Sequence, residues 1–171
     1  MFGILRPASL LFSAALPLLA GCAGYAVTLN EQTLYDPRER VTEHQFADPG
    51  LQACVNMALQ QQRVEAAENL TVLSCSGLEI RSLAGLEALG SLQFLDVSGN
   101  RLTHLDPLRS LSRLRSVTAS ANPLNEISAL FSVTGLTTAV FTGSNEIPCA
   151  HLDRLAERLG NNLTRPERCA S

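Results

Sequence analysis

Residues 92–113 decide the fold of this chain, and they read LQFLDVSGNRLTHLDPLRSLSR. The same arrangement of apolar residues begins once before this stretch, at Leu70, and once after it, at Leu114, with a constant interval. All 21 apolar template positions of the three units are filled, against about 10 expected by chance at 46% apolar composition. These positions are Leu70, Leu73, Cys75, Ile80, Leu83, Leu86, Leu89, Leu92, Leu95, Val97, Leu102, Leu105, Leu108, Leu111, Leu114, Val117, Ala119, Leu124, Ile127, Leu130 and Val133. The chain is therefore built on an internal repeat.

The overall composition indicates one folded domain. The chain has 171 residues, 30 of them leucine, and a net charge of −3 from 13 arginines and 16 acidic residues. A chain that is 46% hydrophobic and 17% charged is too apolar for a disordered protein and too charged for a multi-span membrane protein. Its mildly acidic total also lacks the basic face that a general nucleic-acid binder needs, so we expect no nucleic-acid partner.

The repeat resembles the leucine-rich repeat template L-x-x-L-x-L-x-x-N-x-L, and its 22-residue length resembles the repeats of internalin-type bacterial proteins. Asn100 and Asn122 occupy the asparagine position of the second and third units, whereas Leu78 stands there in the first. A buried amide supplies both donors and acceptors to a backbone turn, so both asparagines are predicted to be structural. In the fourth unit Ser144 takes this place and Asn145 follows one residue late, which predicts a one-residue insertion where the solenoid ends.

The resemblance implies an α/β solenoid, namely a short right-handed leucine-rich repeat coil with a concave parallel β-sheet and helical caps at both ends. The alternative, an amphipathic helical array, conflicts with the breaks at Gly77, Gly85, Gly90, Gly99, Pro107, Pro123 and Gly135. The predicted domain spans 48–171. Its N-terminal cap covers 48–69, about four repeats cover 70–148, and the C-terminal cap covers 149–171.

A solenoid needs polar ends to stay soluble, and a helix is predicted at each end. Asp48 is expected to cap a helix over 49–62, with Pro49 at its first position. The segment from Cys149 to Leu159 places its leucines on one face, and Gly160 follows as a helix stop.

Residues 1–21 are typical of an export signal, with an apolar stretch too short to span a bilayer. The stretch ends Leu19-Ala20-Gly21-Cys22, which resembles the lipobox of bacterial lipoproteins. The resemblance implies that Cys22 becomes the first residue of the mature chain and carries a diacylglycerol and an N-acyl group such as palmitate. Ordinary cleavage at an A-x-A-like site is the alternative.

The lipoprotein resemblance implies a location in the bacterial cell envelope. Because Ala23 rather than an aspartate follows the cysteine, it favours the outer membrane facing the periplasm, with cell-surface display as the alternative. Residues 22–47 keep no helix or strand period and are predicted to form the lipidated cysteine and a flexible tether, with a short strand around Tyr25–Leu29. Such a tether would hold the folded domain close to the membrane.

Four cysteines remain besides the lipidation cysteine, and an even number in an exported chain suggests two disulfides. Four cysteines permit three pairings, but each unit of a solenoid contacts only its neighbours. Cys54 in the first cap is adjacent to Cys75 in the first strand, and Cys149 and Cys169 share the second cap. The predicted disulfides are therefore Cys54–Cys75 and Cys149–Cys169. A metal site on Cys149-x-His151 would lack a paired second half, so no metal is predicted.

No catalytic group is predicted. His44 lies in the tether, His104 on the outward part of a coil and His151 at the start of the second cap helix, so no two are expected to meet. No cysteine is left as a nucleophile, and the sequence has neither a G-x-S-x-G motif nor a phosphate-binding loop. We expect a protein that is not an enzyme and has no cofactor beyond the covalent lipid.

The candidate binding face is the outward side of the strands, because leucine-rich repeats usually bind through the concave sheet. Phe94 is its one large apolar side chain, with Asp96 beside it and Arg115 one coil along. The hydroxyl residues of this candidate face are Ser98, Thr118 and Ser120. Phe94 is either a binding anchor or a scattered surface apolar residue.

These features predict a monomeric, lipid-anchored envelope protein that binds an unknown protein or peptide through its concave sheet. Four strands make a sheet only about 15–20 Å wide, so a small or avidity-assisted interface is expected. The cluster Arg109, Arg113 and Arg115 either steers an acidic partner or forms a solvated edge. The alternative functions are a structural envelope lipoprotein, a glycan- or peptidoglycan-binding module and a hydrolase.

Overall fold

The computed structural model describes residues 27–29, 32–35 and 45–169. The chain divides into two compact units, with the boundary between residues 39 and 40. In the first unit, β1 (Val27–Leu29) pairs antiparallel with β2 (Gln32–Tyr35). The first strand falls within the predicted one, but the second was not predicted, because the surrounding sequence has no alternating pattern. The predicted signal peptide and the lipidation site Cys22 lie outside the described residues.

The second unit is the predicted α/β solenoid. A helix, α1 (Pro49–Gln62), precedes the coils and a second helix, α2 (Cys149–Leu159), follows them. The strands are β3 (Val72–Ser74), β4 (Phe94–Asp96), β5 (Ser116–Thr118), β6 (Thr138–Val140) and β7 (Leu163–Thr164). They form one parallel sheet in the order of the sequence. Short 3₁₀ segments at Leu86–Ala88, Asp106–Ser110 and Ser128–Ser132 lie between the strands.

The repeat interval sets the register of the sheet. Leu73 pairs with Leu95, Leu95 with Val117, and Val117 with Ala139, so each partner lies one repeat further along the chain. These residues point inward and are at most 2% exposed. Because side chains of a strand alternate between its two faces, their neighbours point outward into solvent. The repeat thus builds the core and the outer face of the sheet together.

The predicted structural role of Asn100 is visible in its hydrogen bonds. Its Oδ1 accepts from the backbone N–H groups of Leu78 and Ile80, each at 3.0 Å. Its Nδ2 donates to the carbonyl oxygens of Cys75 at 2.7 Å and Val97 at 2.8 Å. One side chain therefore joins the turns of two successive coils, and it satisfies backbone groups that water does not reach.

The turn after β6 contains Ser144 at the asparagine position and one extra residue after it, as the sequence predicted. Asn100, Asn122 and Ser144 recur at the interval of the repeat, and we call this row of buried polar side chains the ladder; Ser144 is its fully buried last member. Its hydroxyl accepts from Asn122 N at 3.1 Å and donates to Ala119 O at 2.9 Å. The repeat is thus in register through Ser144, and the extra residue lies beyond it. The next buried apolar residue, Ile147, follows Ser144 by three residues, whereas Leu102 follows Asn100 by two. A hydroxyl provides both a donor and an acceptor, which is why serine replaces asparagine in the last turn.

The first cap begins as predicted at Asp48. Its Oδ1 accepts from the N–H groups of Gly50 and Leu51, and its Oδ2 accepts from Arg81 at 2.8 Å and Ser82 at 3.3 Å. The same carboxylate therefore caps α1 and closes the turn of the first coil. Burial raises the pKa of this carboxyl, but the four backbone N–H groups outweigh burial and hold the pKa below its usual value.

The second cap contains more than the predicted helix. After α2 the chain turns at Gly160, and β7 adds a fifth strand beside β6, with Leu163 opposite Ala139. This strand was not predicted, because two residues are too few to show alternation. Disulfides join Cys54 to Cys75 and Cys149 to Cys169, which are the pairings expected from the adjacency of units. The first joins α1 to the end of β3 over a sequence separation of 21, and the second closes the carboxy-terminal cap over a separation of 20.

Candidate binding face

The outward positions of β3–β7 form what we call the sheet face. The first row crossing the strands contains Val72, Phe94, Ser116 and Thr138, and the second contains Ser74, Asp96, Thr118, Val140 and Thr164. In both rows successive residues are neighbours in register; from β3 to β6 this follows from the interval of the repeat, and β7 adds the last member. Most of these side chains are hydroxyls, so an ionised or large apolar group stands out on this surface.

Phe94 and Val72 form the apolar part of the sheet face. These residues are 48% and 46% exposed, and they stand opposite each other on β4 and β3. Neighbouring strands lie about 4.8 Å apart, so the two side chains make one continuous patch rather than two isolated groups. The four exposed large apolar residues among residues 45–169 all precede residue 95, and they are Met57, Val72, Leu78 and Phe94. The patch thus marks the amino-terminal half of the solenoid.

Asp96 lies two residues after Phe94 and points to the same side of β4. Its Oδ1 accepts from the backbone N–H of Ser98 at 2.9 Å, which orients the carboxylate on the sheet face. The residue is half-buried. Among the ion pairs formed within residues 45–169, none involves Asp96. A negative charge therefore lies beside the apolar patch without a cation from the described solenoid to balance it.

Arg115 precedes β5 and lies at the edge of the sheet face. Its backbone carbonyl accepts from the N–H groups of Thr137 and Thr138 and from the Thr137 hydroxyl, so its backbone position is well determined. The residue is exposed and takes no part in the ion pairs within residues 45–169. Along the strands, Arg115 stands one position before the level of Phe94, whereas Asp96 stands two positions after it. The apolar patch is thus flanked by opposite charges.

The remaining predicted face residues, Ser98, Thr118 and Ser120, are half-buried hydroxyls. The ladder holds two of them through the backbone, because Asn100 donates to Ser98 O at 3.3 Å and Asn122 donates to Ser120 O at 3.1 Å. Buried asparagines therefore fix the loop that borders the sheet face. A substitution in the ladder should disturb this border even though the asparagines themselves are inside.

Each of the described histidines lies beside a carboxylate. His104 Nδ1 lies 3.1 Å from Asp106 Oδ2, and His151 Nδ1 lies 3.6 Å from Glu126 Oε1 on a different coil. The backbone and hydroxyl of Ser128 donate to Glu126, and these hydrogen bonds lower the pKa of that carboxyl. Residues 45–169 and the two described strands before them contain no cluster of three His, Cys, Asp or Glu side chains suited to a metal ion.

The arginines of the predicted cluster do not act as one group. Arg109 Nη2 lies 3.6 Å from Asp106 Oδ1 on the same 3₁₀ segment, so its charge is partly balanced there. Arg113 and Arg115 remain exposed next to β5. Arg115 directly precedes β5 and borders the sheet face, whereas Arg109 belongs to the segment between the strands.

A shallow groove beside α2 was not found from the sequence. Its lining includes Phe131, Arg154 and Arg158. The Arg154 guanidinium stacks 4.4 Å from the centre of the Phe131 ring, and Arg158 donates to the carbonyl oxygens of Leu130 and Phe131. Arginines four residues apart on a predicted helix were visible in the sequence, but their target on the last coil was not. These contacts attach α2 to the last coil.

No helix in the part of the chain that the structure describes is both long and apolar enough to cross a membrane. No known family model matches this chain, and no curated protein matches it either.

Solved structures of similar fold include bacterial internalins. An internalin (InlF) from Listeria monocytogenes superposes with a TM-score of 0.61 and 26% sequence identity, over 72% of this chain and 37% of the other. An internalin C2 from the same organism superposes with a TM-score of 0.53 and 25% identity, over 58% of this chain and 47% of the other. This chain spans less than half the length of either internalin. Its structure is a leucine-rich repeat solenoid similar to part of theirs.

Proposed function

We propose that this chain is a lipid-anchored cell-envelope protein that binds a protein partner through its sheet face. The observation that supports this most strongly is the exposed pair Val72 and Phe94, which stands in register on a face where most of the other side chains are hydroxyls. Aromatic side chains at the centre of a small interface contribute a large share of its binding energy. The role is binding and not catalysis, and it requires no cofactor beyond the lipid.

The size of the sheet face sets the kind of complex. Five strands about 4.8 Å apart span about 20 Å, which is near the lower limit for a specific protein interface. A single surface of this size gives a weak complex. Attachment to a membrane compensates for weakness, because two proteins held at one surface meet at a high effective concentration.

The anchor follows from the lipobox-like sequence at Cys22. One acyl chain holds a protein only marginally at a membrane, whereas a diacylglycerol with a further acyl chain holds it stably. We place the protein at the outer membrane facing the periplasm, with cell-surface display as the alternative. A Cys22→Ser variant should leave the membrane fraction, and Ser13→Ala in the same segment serves as the control. Retention of the Cys22→Ser variant in membranes would overturn the lipid anchor.

Binding at the sheet face can be tested in intact cells. A photo-crosslinking amino acid replaces Ser116, next to Phe94 on the face, or Ser110, which is exposed on the 3₁₀ segment between strands. We expect a defined protein adduct from position 116 that disappears with Phe94→Ala, and none from position 110. Equal adducts from both positions, or an adduct from position 116 whose yield is unchanged by Phe94→Ala, would contradict binding at the sheet face.

A second function, glycan binding, is supported by the hydroxyl side chains of the sheet face. Hydroxyls, a carboxylate and an aromatic ring are groups that also contact sugars. Purified peptidoglycan sacculi that retain the wild-type protein and release the Phe94→Ala variant would favour this function over protein binding. A structural lipoprotein without a specific ligand would give neither adducts nor retention.

A further inference from the structure

We propose that the partner presents an apolar side chain flanked on one side by an acidic residue and on the other by a basic residue. This inference rests on the proposed function, and it adds the chemistry of the partner segment. It follows from three groups arranged along the strand direction: Arg115, then the Val72–Phe94 pair, then Asp96. In this arrangement the apolar residue docks on Phe94, the acidic residue faces Arg115 and the basic residue faces Asp96.

The spacing of the three groups fits a single segment of protein. Phe94 and Asp96 are two residues apart on one strand, which corresponds to about 6.7 Å. Arg115 lies on the neighbouring coil, one position before the level of Phe94. Arg115 and Asp96 are therefore three positions apart along the strands, which corresponds to about 10 Å. An extended segment presents three side chains of one face over five residues, about 13 Å from the first to the last, and a helix presents them over two turns, about 11 Å. Either form can bring three side chains of one face onto these groups.

Asp96 requires the partner to contribute a cation. Its carboxylate is already half-buried and is oriented by Ser98, and the described solenoid supplies no cation to it. A partner that covers Phe94 removes more water from this carboxylate. Covering a charge without an opposing charge weakens a complex, whereas a complementary charge restores the lost solvation and selects the partner.

Arg115 imposes the opposite requirement on the other side of the patch. It is exposed and outside the ion pairs of residues 45–169. A wholly basic partner is repelled by Arg115, and a wholly acidic one is repelled by Asp96. A neutral glycan uses neither charge. The remaining outward residues of the two rows are neutral, so charge selection on this face depends on these two residues.

The experiment repeats the crosslinking from position 116 with charge variants. Asp96→Asn retains an oxygen that can accept from Ser98 N, and Arg115→Gln retains a polar side chain, so each removes a charge with little change of shape. We expect each variant to lower the adduct yield about tenfold at low salt, with a smaller loss at high salt. Glu157→Gln and Arg154→Gln on α2, away from the sheet face, serve as matched controls and should leave the yield unchanged. Thermal unfolding of each variant shows whether it is folded.

The sequence of the crosslinked partner peptide is the second measurement. It should contain an apolar residue with an acidic residue on one side and a basic residue on the other within one contact face. An adduct whose yield does not change in Asp96→Asn and Arg115→Gln, or whose peptide lacks both charges, overturns this inference while the proposed binding function stands. Absence of any adduct from position 116 overturns the proposed function itself. Retention on sacculi that is independent of both charges assigns the face to glycans and overturns both.

Discussion

The two ends of the solenoid meet the same requirement with different groups. At the amino-terminal end, where Leu78 stands in the asparagine position, Asp48 accepts from the backbone N–H groups of Arg81 and Ser82. At the carboxy-terminal end, Ser144 completes the ladder and Arg158 donates to the carbonyl oxygens of the last coil. An end coil has backbone groups that no further coil can bind. Asp48 accepts from N–H groups at the amino-terminal end, and Arg158 donates to carbonyl oxygens at the carboxy-terminal end.

The ends also differ in what they leave exposed. The exposed large apolar residues of the described solenoid lie at or near the amino-terminal end, whereas α2 and β7 cover the last coil at the other end. Gly50 permits α1 to pack closely, because a Cβ there would lie only 2.6 Å from the carbonyl oxygen of Leu78. The carboxy-terminal cap thus covers the apolar surface at its end, whereas large apolar side chains stay exposed in the amino-terminal half.

The largest expected effect concerns the ladder. Asn100→Ala leaves the N–H groups of Leu78 and Ile80 without their acceptor, and each unsatisfied buried group costs about 1–3 kcal/mol, so we expect a loss of about 4 kcal/mol. Ser144→Ala at the other end should cost about 2 kcal/mol, because a single hydroxyl is lost. Denaturant unfolding measures both, with exposed Asn145→Ala as the control. Equal losses for Asn100→Ala and Ser144→Ala would remove the asymmetry between the ends.

The disulfides provide the next test. The pairs span sequence separations of 21 and 20 residues, so loop entropy predicts about 3 kcal/mol for each. Cys54 and Cys75 are 3% and 0% exposed, whereas Cys149 is only partly buried. We therefore expect the double serine variant of the first pair to lose more stability, since it places two hydroxyls in the core. A larger loss for the second pair would show that the carboxy-terminal cap is the weaker one.

Asp48 should produce a smaller and pH-dependent effect. Asp48→Ala removes the helix cap and the acceptor of the first turn, and we expect a loss of about 2 kcal/mol near neutral pH. Because the folded pKa lies below the unfolded one, the carboxylate stabilises the fold above the unfolded pKa and loses this contribution as the pH falls through the folded pKa. The difference between wild type and Asp48→Asn should therefore shrink as the pH falls from about 5 through the folded pKa. A difference that is constant over this range would contradict the role of the charge.

Arg158 is the carboxy-terminal counterpart of Asp48. Its guanidinium donates to Leu130 O at 2.9 Å and Phe131 O at 3.2 Å, and much of the side chain is exposed to solvent. Arg158→Ala should cost about 1 kcal/mol in the free energy of unfolding, which is less than Asp48→Ala. Glu157→Ala is the neighbouring control. A loss as large as that of Asp48→Ala would mean that α2 depends on this contact more than its exposure indicates.

The smallest effect on stability is expected at Phe94. Since this residue is half-exposed, Phe94→Ala should change the free energy of unfolding by less than about 1 kcal/mol and yet abolish crosslinking from position 116. Phe141→Ala is the matched contrast, because this fully buried phenylalanine should cost about 4 kcal/mol. A large loss of stability in Phe94→Ala would identify Phe94 as a structural residue rather than a binding anchor.

The sequence predicted most of the solenoid because the repeat is redundant. Helix bounds at 49–62 and 149–159, the rows of the sheet face and the role of Asn100 all follow from periodicity or from a cap signal that several residues share. Strands β2 and β7 were missed because such short strands carry no period of their own. The sequence placed Ser144 at the asparagine position, but only its hydrogen bonds show that the hydroxyl replaces the amide there.

The sequence by itself determined the fold, the register and the inward side of every repeat. Because the repeat length is constant, equivalent leucines of successive repeats can pack only against one another in the core. It also determined the cysteine pairing, because units of a solenoid contact only their neighbours. Only the tertiary structure decided how much of Phe94 and Val72 stays exposed and that Asp48 serves two elements at once. Such contacts join residues that are distant in sequence, such as Asp48 and Ser82, and a contact of this kind produces no recognisable pattern in the local sequence.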